Sequence, residues 1–298
     1  MPSVSSLEEA SALFRTASAD GRRVRIGEDV TTEGLARVLE HEAGDLTCTV
    51  EAGIRLSALR TALAAHGQRL SLDPPGDPTV GACLAANRSG PLRHRFGAPR
   101  DLVLGVTLVL ADGTIASAGG KVVKNVAGYD VGKLVCGSRG RLGLIARVSL
   151  RLHPLPASAA TLVAETADAA AAAHALLASQ LQPSALDILH PGRVAVLFEG
   201  SARAVEAQLE AARALVGGTV AGEDVWSEAR ERQGRALGRV RFAPADLANA
   251  LTTFPEAVVR VAAGVAYVPH RVGGVPSPGA RRLARALEER LDPVGILR

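Results

Sequence analysis

A chain of 298 residues, 47% hydrophobic and 21% charged, is long enough for one large or two ordinary domains and can bury a sizeable core. Only 3% of its residues are aromatic, so that core must be filled by Leu, Val and Ala. The formal net charge of +4 is mild and spread along the chain, which favours an anionic small molecule but lacks the clustered basic and aromatic pattern of a nucleic-acid binder.

Ser6 to Glu9 match a capping box, and the apolar periodicity that follows predicts a helix ending near Gly21. Arg22 to Ile26 read as a short strand, Glu33 to Glu40 as a second helix, and Leu46 to Gly53 as a strand. Ser57 is the expected cap of a helix that Gly67 ends. Leu72 to Arg100 is dense in Gly and Pro yet carries the apolar segment VGACLAAN, so it reads as a functional irregular segment. DLVLGVTLVL, the turn Ala111-Asp112-Gly113 and TIASAGG predict a β-hairpin. LGLIARVSLRL alternates as a strand. Beyond Pro156 the pattern is β-α-β-β-α-β up to Val220, a ferredoxin-like split unit. The remainder is less regular and closes with the helix GARRLARALEERLDP. The fold class is α+β, with a boundary near residue 156 that divides the chain into 1–156 and 157–298.

Gly119 to Ile145 holds all three lysines, Lys121, Lys124 and Lys133, in a chain whose other basic residues are arginines, and it also holds Tyr129 and seven glycines. A glycine-rich turn with cations, feeding a strand, suits a bound anion such as a dinucleotide pyrophosphate; a tightly packed buried loop is the alternative. Gly128 to Leu134 is one residue short of a P-loop and lacks its Ser/Thr, and GSRGRLG does not fit the Rossmann spacing. Cys48, Cys83 and Cys136 are too few and scattered for a disulfide framework or a metal site. His41, His66 and His174 fall on helical patterns and are expected to face solvent, and no Ser-His-Asp grouping can be assembled. With no signal-peptide pattern and no transmembrane run, the chain reads as cytoplasmic.

DPPGDPTVGACLAANRSG, RFGAPRDLVLGVTLVLADG, GGKVVKNVAGYDVGKL and GSRGRLGLIARVSLRLHPLP occur in that order, and together resemble the FAD-binding domain of the vanillyl-alcohol-oxidase (PCMH-type) superfamily. Within it the chain is most similar to FAD-binding subunits of bacterial glycolate oxidases, strongly from about Leu46 to Pro156 and by architecture alone beyond. The resemblance implies two α+β subdomains that cradle noncovalent FAD, followed by a cap domain. It further implies oxidation of a small 2-hydroxy acid by hydride transfer to the flavin, with electrons passed to partners such as a second flavoprotein and an iron–sulfur subunit. Such partners would make the chain peripheral to a membrane. The alternative is a degenerate paralogue that serves as a scaffold or assembly subunit and binds FAD weakly or not at all.

On the same resemblance, Pro74, Thr79, Val80, Gly81 and Ala82 run beside the pyrophosphate as a backbone nest, unless Thr79 is simply a helix cap. Ala85, Asn87 and Gly90 continue that wall beside the isoalloxazine. Gly97, Arg100 and Asp101 lie near the flavin ring, unless Arg100 only pairs with Asp101 on the surface. Gly140, Leu142, Gly143 and Ile145 contact ribose and adenine, while Lys124-Asn125 and Gly128 to Asp130 form a loop near the flavin. The usual glycine-rich pyrophosphate loop is shortened here to Arg25-Ile26-Gly27-Glu28-Asp29, which leaves Gly27 at the site and sets two carboxylates beside the phosphates. Ala82 replaces the second glycine of the usual pair. Relatives also continue past DPVGILR into an Asn-Pro-Gly tail. No catalytic base is assigned; His270 is the only loose candidate, and Arg93, Arg95 or Arg100 would hold a substrate carboxylate.

Overall fold

The computed structural model describes residues 2–120, 130–273 and 277–297. Helix α1, Leu7–Ala19, opens as its sequence dictates: the Ser6 hydroxyl accepts the Glu9 N–H at 3.1 Å. Its apolar stripe of Leu7, Ala10, Phe14 and Ala17 is buried with Val4, Val24, Val30 and Leu35. Arg22 to Ile26 do not form the expected strand. Only Ile26 makes a bridge, to Val30, and the Val24 N–H goes to the carbonyl of Ile296 at 2.8 Å, because no neighbouring strand offers a ladder.

The expected helix over Glu33 to Glu40 is also absent. The chain there is extended and becomes strand β1, Val38–Glu42, antiparallel to β2, Thr47–Glu51. Tertiary contacts override the local pattern: a Cβ on Gly34 would come within 2.6 Å of the Val4 carbonyl oxygen, and Glu51 holds both the Arg37 N–H (2.9 Å) and its guanidinium (2.7 Å). His41 is therefore on a strand rather than a helix; its Nε2 lies 2.9 Å from the Gln68 side-chain oxygen and its ring meets His66 edge-on. Helix α2, Leu56–Ala64, starts one residue before Ser57. The carboxylate of Asp77 accepts the Ser57 N–H (2.8 Å) and hydroxyl (2.6 Å), so the capping acceptor arrives from a distant residue.

After β3, Gln68–Arg69, the Gly/Pro-rich segment folds into three short helices: α3, Val80–Ala86; α4, Arg93–Phe96; and α5, Pro99–Leu102. The expected hairpin follows as β4, Val103–Val109, and β5, Ile115–Gly119, with the Thr114 N–H donated to Asp112 in the turn. Helix α6, Val131–Val135, is capped by Asp130, and β6, Leu144–Arg151, is the alternating run read from the sequence. These strands form a five-stranded antiparallel sheet in the order β1-β2-β6-β4-β5, with β6 at its centre. β7, His153–Pro154, pairs with β3.

The second sheet begins with β8, Ser158–Glu165. α7, Ala169–Ala178, β9, Ala185–Leu189, β10, Arg193–Gly200, α8, Ala202–Val216, and β11, Thr219–Ala221, complete the β-α-β-β-α-β unit. Its spatial order β11-β8-β10-β9, antiparallel throughout, places the fourth, first, third and second strands side by side, as the ferredoxin-like reading requires. The stretch that reads as irregular extends this sheet. α9, Asp224–Arg235, β12, Gly238–Arg241, α10, Leu247–Thr253, β13, Val258–Arg260, and β14, Val265–Val268, add β13-β14-β12 beyond β9.

Helix α11, Pro278–Leu291, then returns to the first half, where Leu287 and Leu291 pack on the core of the five-stranded sheet. The Asp292 carboxylate accepts the N–H groups of Gly295, Ile296 and Leu297, which sets Ile296 and Leu297 into the core around Phe14. The two halves are also joined by a bidentate pair, Arg69 to Glu199, at 2.6 Å on each arm; the side chains are 14% and 8% exposed. Burial pushes the Glu199 carboxyl up, but the Arg69 hydrogen bonds and charge hold it below the usual carboxylate range.

Candidate functional site

A cleft of about 1190 Å³ opens between the two sheets. That exceeds the roughly 300–1,000 Å³ of an ordinary small-molecule site and suits a ligand as large as a dinucleotide. Its first wall is α3. Thr79, Gly81, Ala82, Ala85 and Asn87 line it, and the short side chains leave room for a flat group. A second wall is the turn into β6, with Gly140, Gly143 and Ile145; Gly27 stands at the edge. α9, β12 and β14 close the far side with Gln233, Leu237, Arg239 and Tyr267.

The other sequence-derived site residues are not on this wall. Val80 and Leu142 face the core, and Pro74 is buried beside the lining residues Pro75 and Gly76. Gly90 is pressed against Asp73, whose carbonyl oxygen would meet an added Cβ at 1.8 Å. Gly97, with φ +81°, ends α4. Arg100 lies 3.7 Å from Asp101 with both side chains exposed, and Asp101 caps α5 by accepting the Ala98 N–H. These contacts match the surface-pair alternative for Arg100. Lys121, Lys124, Asn125, Gly128 and Tyr129 lie outside the described residues. Lys133 pairs with Asp130 at 2.9 Å.

The nest expected at Thr79 to Ala82 is not open to an anion. Val80 N–H donates to the Ile54 carbonyl, Gly81 N–H to the Ala52 carbonyl, and Ala82 N–H to the Thr79 hydroxyl, so Thr79 is the helix cap. Nor do Glu28 and Asp29 confront a phosphate. Both pair with Arg25, Asp29 also accepts the Arg25 N–H at 2.9 Å, and neither lines the cleft. Arg25 thus offsets the charge of the two carboxylates beside Gly27. Asn87 adopts φ +47°, and its buried side-chain oxygen has no hydrogen-bond partner, an acceptor on the cleft wall awaiting a donor.

Strand register explains the chemistry of the far wall. Directly paired residues share a sheet face. Arg239 pairs with Tyr267, Arg241 with Val265, and Arg260 with both Val265 and Asp187, so three guanidiniums, a phenol and a carboxylate occupy one face. That face meets Arg93 of α4. Arg260 stacks on Tyr267 at 4.9 Å, donates to Gln233 at 2.7 Å and lies 3.6 Å from Asp187, while Gln233 donates to the Ser89 carbonyl. Arg260 is only 2% exposed, and two of its nitrogens have no partner. Burial holds the Arg93 guanidinium below its usual range, with Arg239, Arg241 and Arg260 adding to the effect. The excess is positive: among the described residues Asp187 and Asp73 are the acidic groups set against these four arginines, and burial raises the Asp187 carboxyl to about 6. Sequence reasoning singled out Arg93 but missed Arg239, Arg260, Gln233 and Tyr267, which no local motif announces.

Glu33 is the only carboxylate among the described lining residues, and Arg55 holds it at 2.5 Å. The described lining residues include no histidine. His270 is exposed and stacks on Phe254. Among the described residues no group of His, Cys, Asp and Glu is placed to hold a metal ion, and no helix is long and apolar enough to cross a membrane.

Residues 29–119 match the FAD binding domain family. Glycolate oxidase subunit GlcE of Escherichia coli is 32% identical over 201 residues, covering 66% of this chain and 56% of that subunit. D-lactate dehydrogenase [cytochrome] 1, mitochondrial, of Saccharomyces cerevisiae is 31% identical over 55% of this chain and 29% of its own length. The chain thus spans little more than half of the first relative and under a third of the second. A solved alkyldihydroxyacetonephosphate synthase shares the fold over 99% of this chain and 74% of its own, with a TM-score of 0.76 at 18% identity. The chain therefore carries an FAD-binding domain of the PCMH type, related to glycolate oxidase subunits and D-lactate dehydrogenases.

Proposed function

We propose that the chain is the FAD-carrying part of an oxidoreductase that acts on a small 2-hydroxy acid and hands electrons to partner subunits. In this reading residues 1–156, completed by the returning segment 278–297, hold the cofactor and the second sheet, from residue 157 on, caps it. The observation that carries the proposal is the cationic face of Arg93, Arg239, Arg241 and Arg260 beside Tyr267, which reaches the cleft that the flavin would fill through Arg239 and Tyr267. When bound, the flavin supplies the acceptor for the hydride leaving the substrate C2. Arg239 and Arg93 hold the substrate carboxylate by charge-assisted hydrogen bonds, which fixes C2 toward the small-residue wall of α3. The unpartnered Asn87 oxygen would accept a hydrogen bond from the bound cofactor.

Oxidation also releases the hydroxyl proton, which needs an acceptor within hydrogen-bond reach. Glu33, the one carboxylate among the described lining residues, is engaged by Arg55; in this reading the proton acceptor is supplied by a partner chain, as is the outgoing electron path. A second reading, a scaffold subunit that holds FAD weakly, is favoured by that same shortage of a free base. Spectral titration separates the two. A short 2-hydroxy acid such as glycolate or lactate should perturb the visible spectrum of the FAD-loaded chain saturably, with little turnover. Arg239→Ala should weaken that binding by about 10- to 100-fold. No saturable perturbation would favour the scaffold. Robust turnover by the isolated chain, lost on His270→Ala, would sink the partner-supplied base.

A further inference from the structure

Among the described residues the cleft walls carry four guanidiniums, those of Arg55, Arg88, Arg139 and Arg239, against the single carboxylate of Glu33. A dinucleotide brings two phosphates that must be neutralised. Main-chain N–H groups commonly do this, but here those of Val80, Gly81 and Ala82 are bonded within the protein, and the Gly27 N–H donates to the Val30 carbonyl. The charged side chains on these walls offer the other means. Arg55 is held by Glu33 and by the Asp77 carbonyl at 2.9 Å, and Arg239 belongs to the far wall. Arg88 and Arg139 are exposed, and among the described residues neither side chain has a hydrogen bond or ion pair.

The placement of Arg139 is costly to the backbone. Arg139 adopts φ +55°, a left-handed conformation that only glycine takes without penalty, although glycines stand on the same loop at 137, 140 and 143. Gly137 N–H donates to the Leu84 carbonyl and Arg139 N–H to the Ala85 carbonyl, which straps the loop to the end of α3. There Asn87 is also left-handed, and Arg88 follows it with its N–H on the Cys83 carbonyl. Two strained residues meeting on one wall, each bringing a free cation or an orphan acceptor, mark a functional site.

We propose that Arg88 and Arg139 form a guanidinium clamp for the diphosphate of FAD, taking the place of the main-chain loop shortened at Arg25 to Asp29. This rests on the reading of the cleft as the FAD site. The clamp recognises the diphosphate, so it discriminates FAD from riboflavin, which has the same ring and no phosphate.

The test is fluorescence titration of the full-length, flavin-free protein with FAD and with riboflavin. Arg88→Gln and Arg139→Gln should each weaken FAD by about 10-fold or more, steeply dependent on salt in the parent protein, while riboflavin binding stays unchanged. Arg139→Gly should also weaken FAD, yet raise the flavin-free Tm by about 2 °C, since strain is relieved. Unchanged FAD affinity in the double Gln variant would overturn the clamp and leave the cofactor reading intact. So would a parallel loss of riboflavin, or an Arg139→Gly protein that melts lower and keeps its FAD affinity. A parent protein that binds riboflavin and FAD equally would overturn it too, and one that binds neither removes the cofactor reading along with it.

Discussion

Arg260→Ala is expected to lower stability by about 3–5 kcal/mol, read as a shift of the urea midpoint at pH 8, because it leaves an uncompensated charge in the interior. Asp187 is fully buried, neither of its oxygens accepts a hydrogen bond, and Arg260 at 3.6 Å is its counter-ion. Removing the guanidinium also frees the Gln233 oxygen, which is buried at the seam between the two halves. The loss should shrink at pH 5, where Asp187 takes up a proton; its carboxyl already sits near 6 with Arg260 present. Arg260→Met combined with Asp187→Leu should recover most of the stability, since the pair is more costly to break than to replace. A loss below about 1 kcal/mol for Arg260→Ala at pH 8 would show that water reaches Asp187.

The second large effect is a pH dependence centred on Asp73. Burial raises its carboxyl from 3.8 to about 7; Arg260, Arg230 and the Leu92 N–H oppose that rise and Asp187 reinforces it. The folded value lies above the unfolded one. Asp73 therefore contributes full stability below pH 4 and loses it as pH rises through 7, when the folded protein must give up a proton that the unfolded chain has already lost. The side chain is 14% exposed, so the effect is on the order of 3 kcal/mol between pH 5 and pH 8. Asp73→Asn keeps an oxygen for the Leu92 N–H and cannot titrate, so it should match the parent below pH 4 and exceed its stability by a margin that grows from pH 5 to pH 8. Comparing the two proteins cancels the opposite slope from His153, whose imidazole burial depresses to about 4. Equal stability at pH 8 would contradict the account.

What the sequence disclosed follows from how local each signal is. Ser6 capping α1, the Asp112-Gly113 turn and the alternation of β6 depend on neighbours a few residues away, and all three read correctly. Arg22 to Ile26 and Glu33 to Glu40 misread because distant groups decide them: the Ile296 carbonyl for the first, Val4 and Glu51 for the second. The α3 wall of the cleft was legible as a block of small residues. The far wall was not, since Arg239, Arg260, Asp187 and Tyr267 are scattered over 81 positions, and only strand register assembles them. The four N–H groups at Gly27 and Val80 to Ala82 show the converse limit: the motif located the wall but could not say that its donors were already used.

The central claim is that FAD occupies the cleft between the two sheets. Gel filtration of the purified protein after incubation with FAD tests it most directly, read by the flavin absorption that travels with the polypeptide. The parent protein should emerge with close to one flavin per chain. Ala82→Trp fills the cleft from an exposed position on α3, so it should emerge with little flavin and an unchanged Tm. A parent protein that sheds its flavin, or an Ala82→Trp variant that retains it equally well, would contradict the claim.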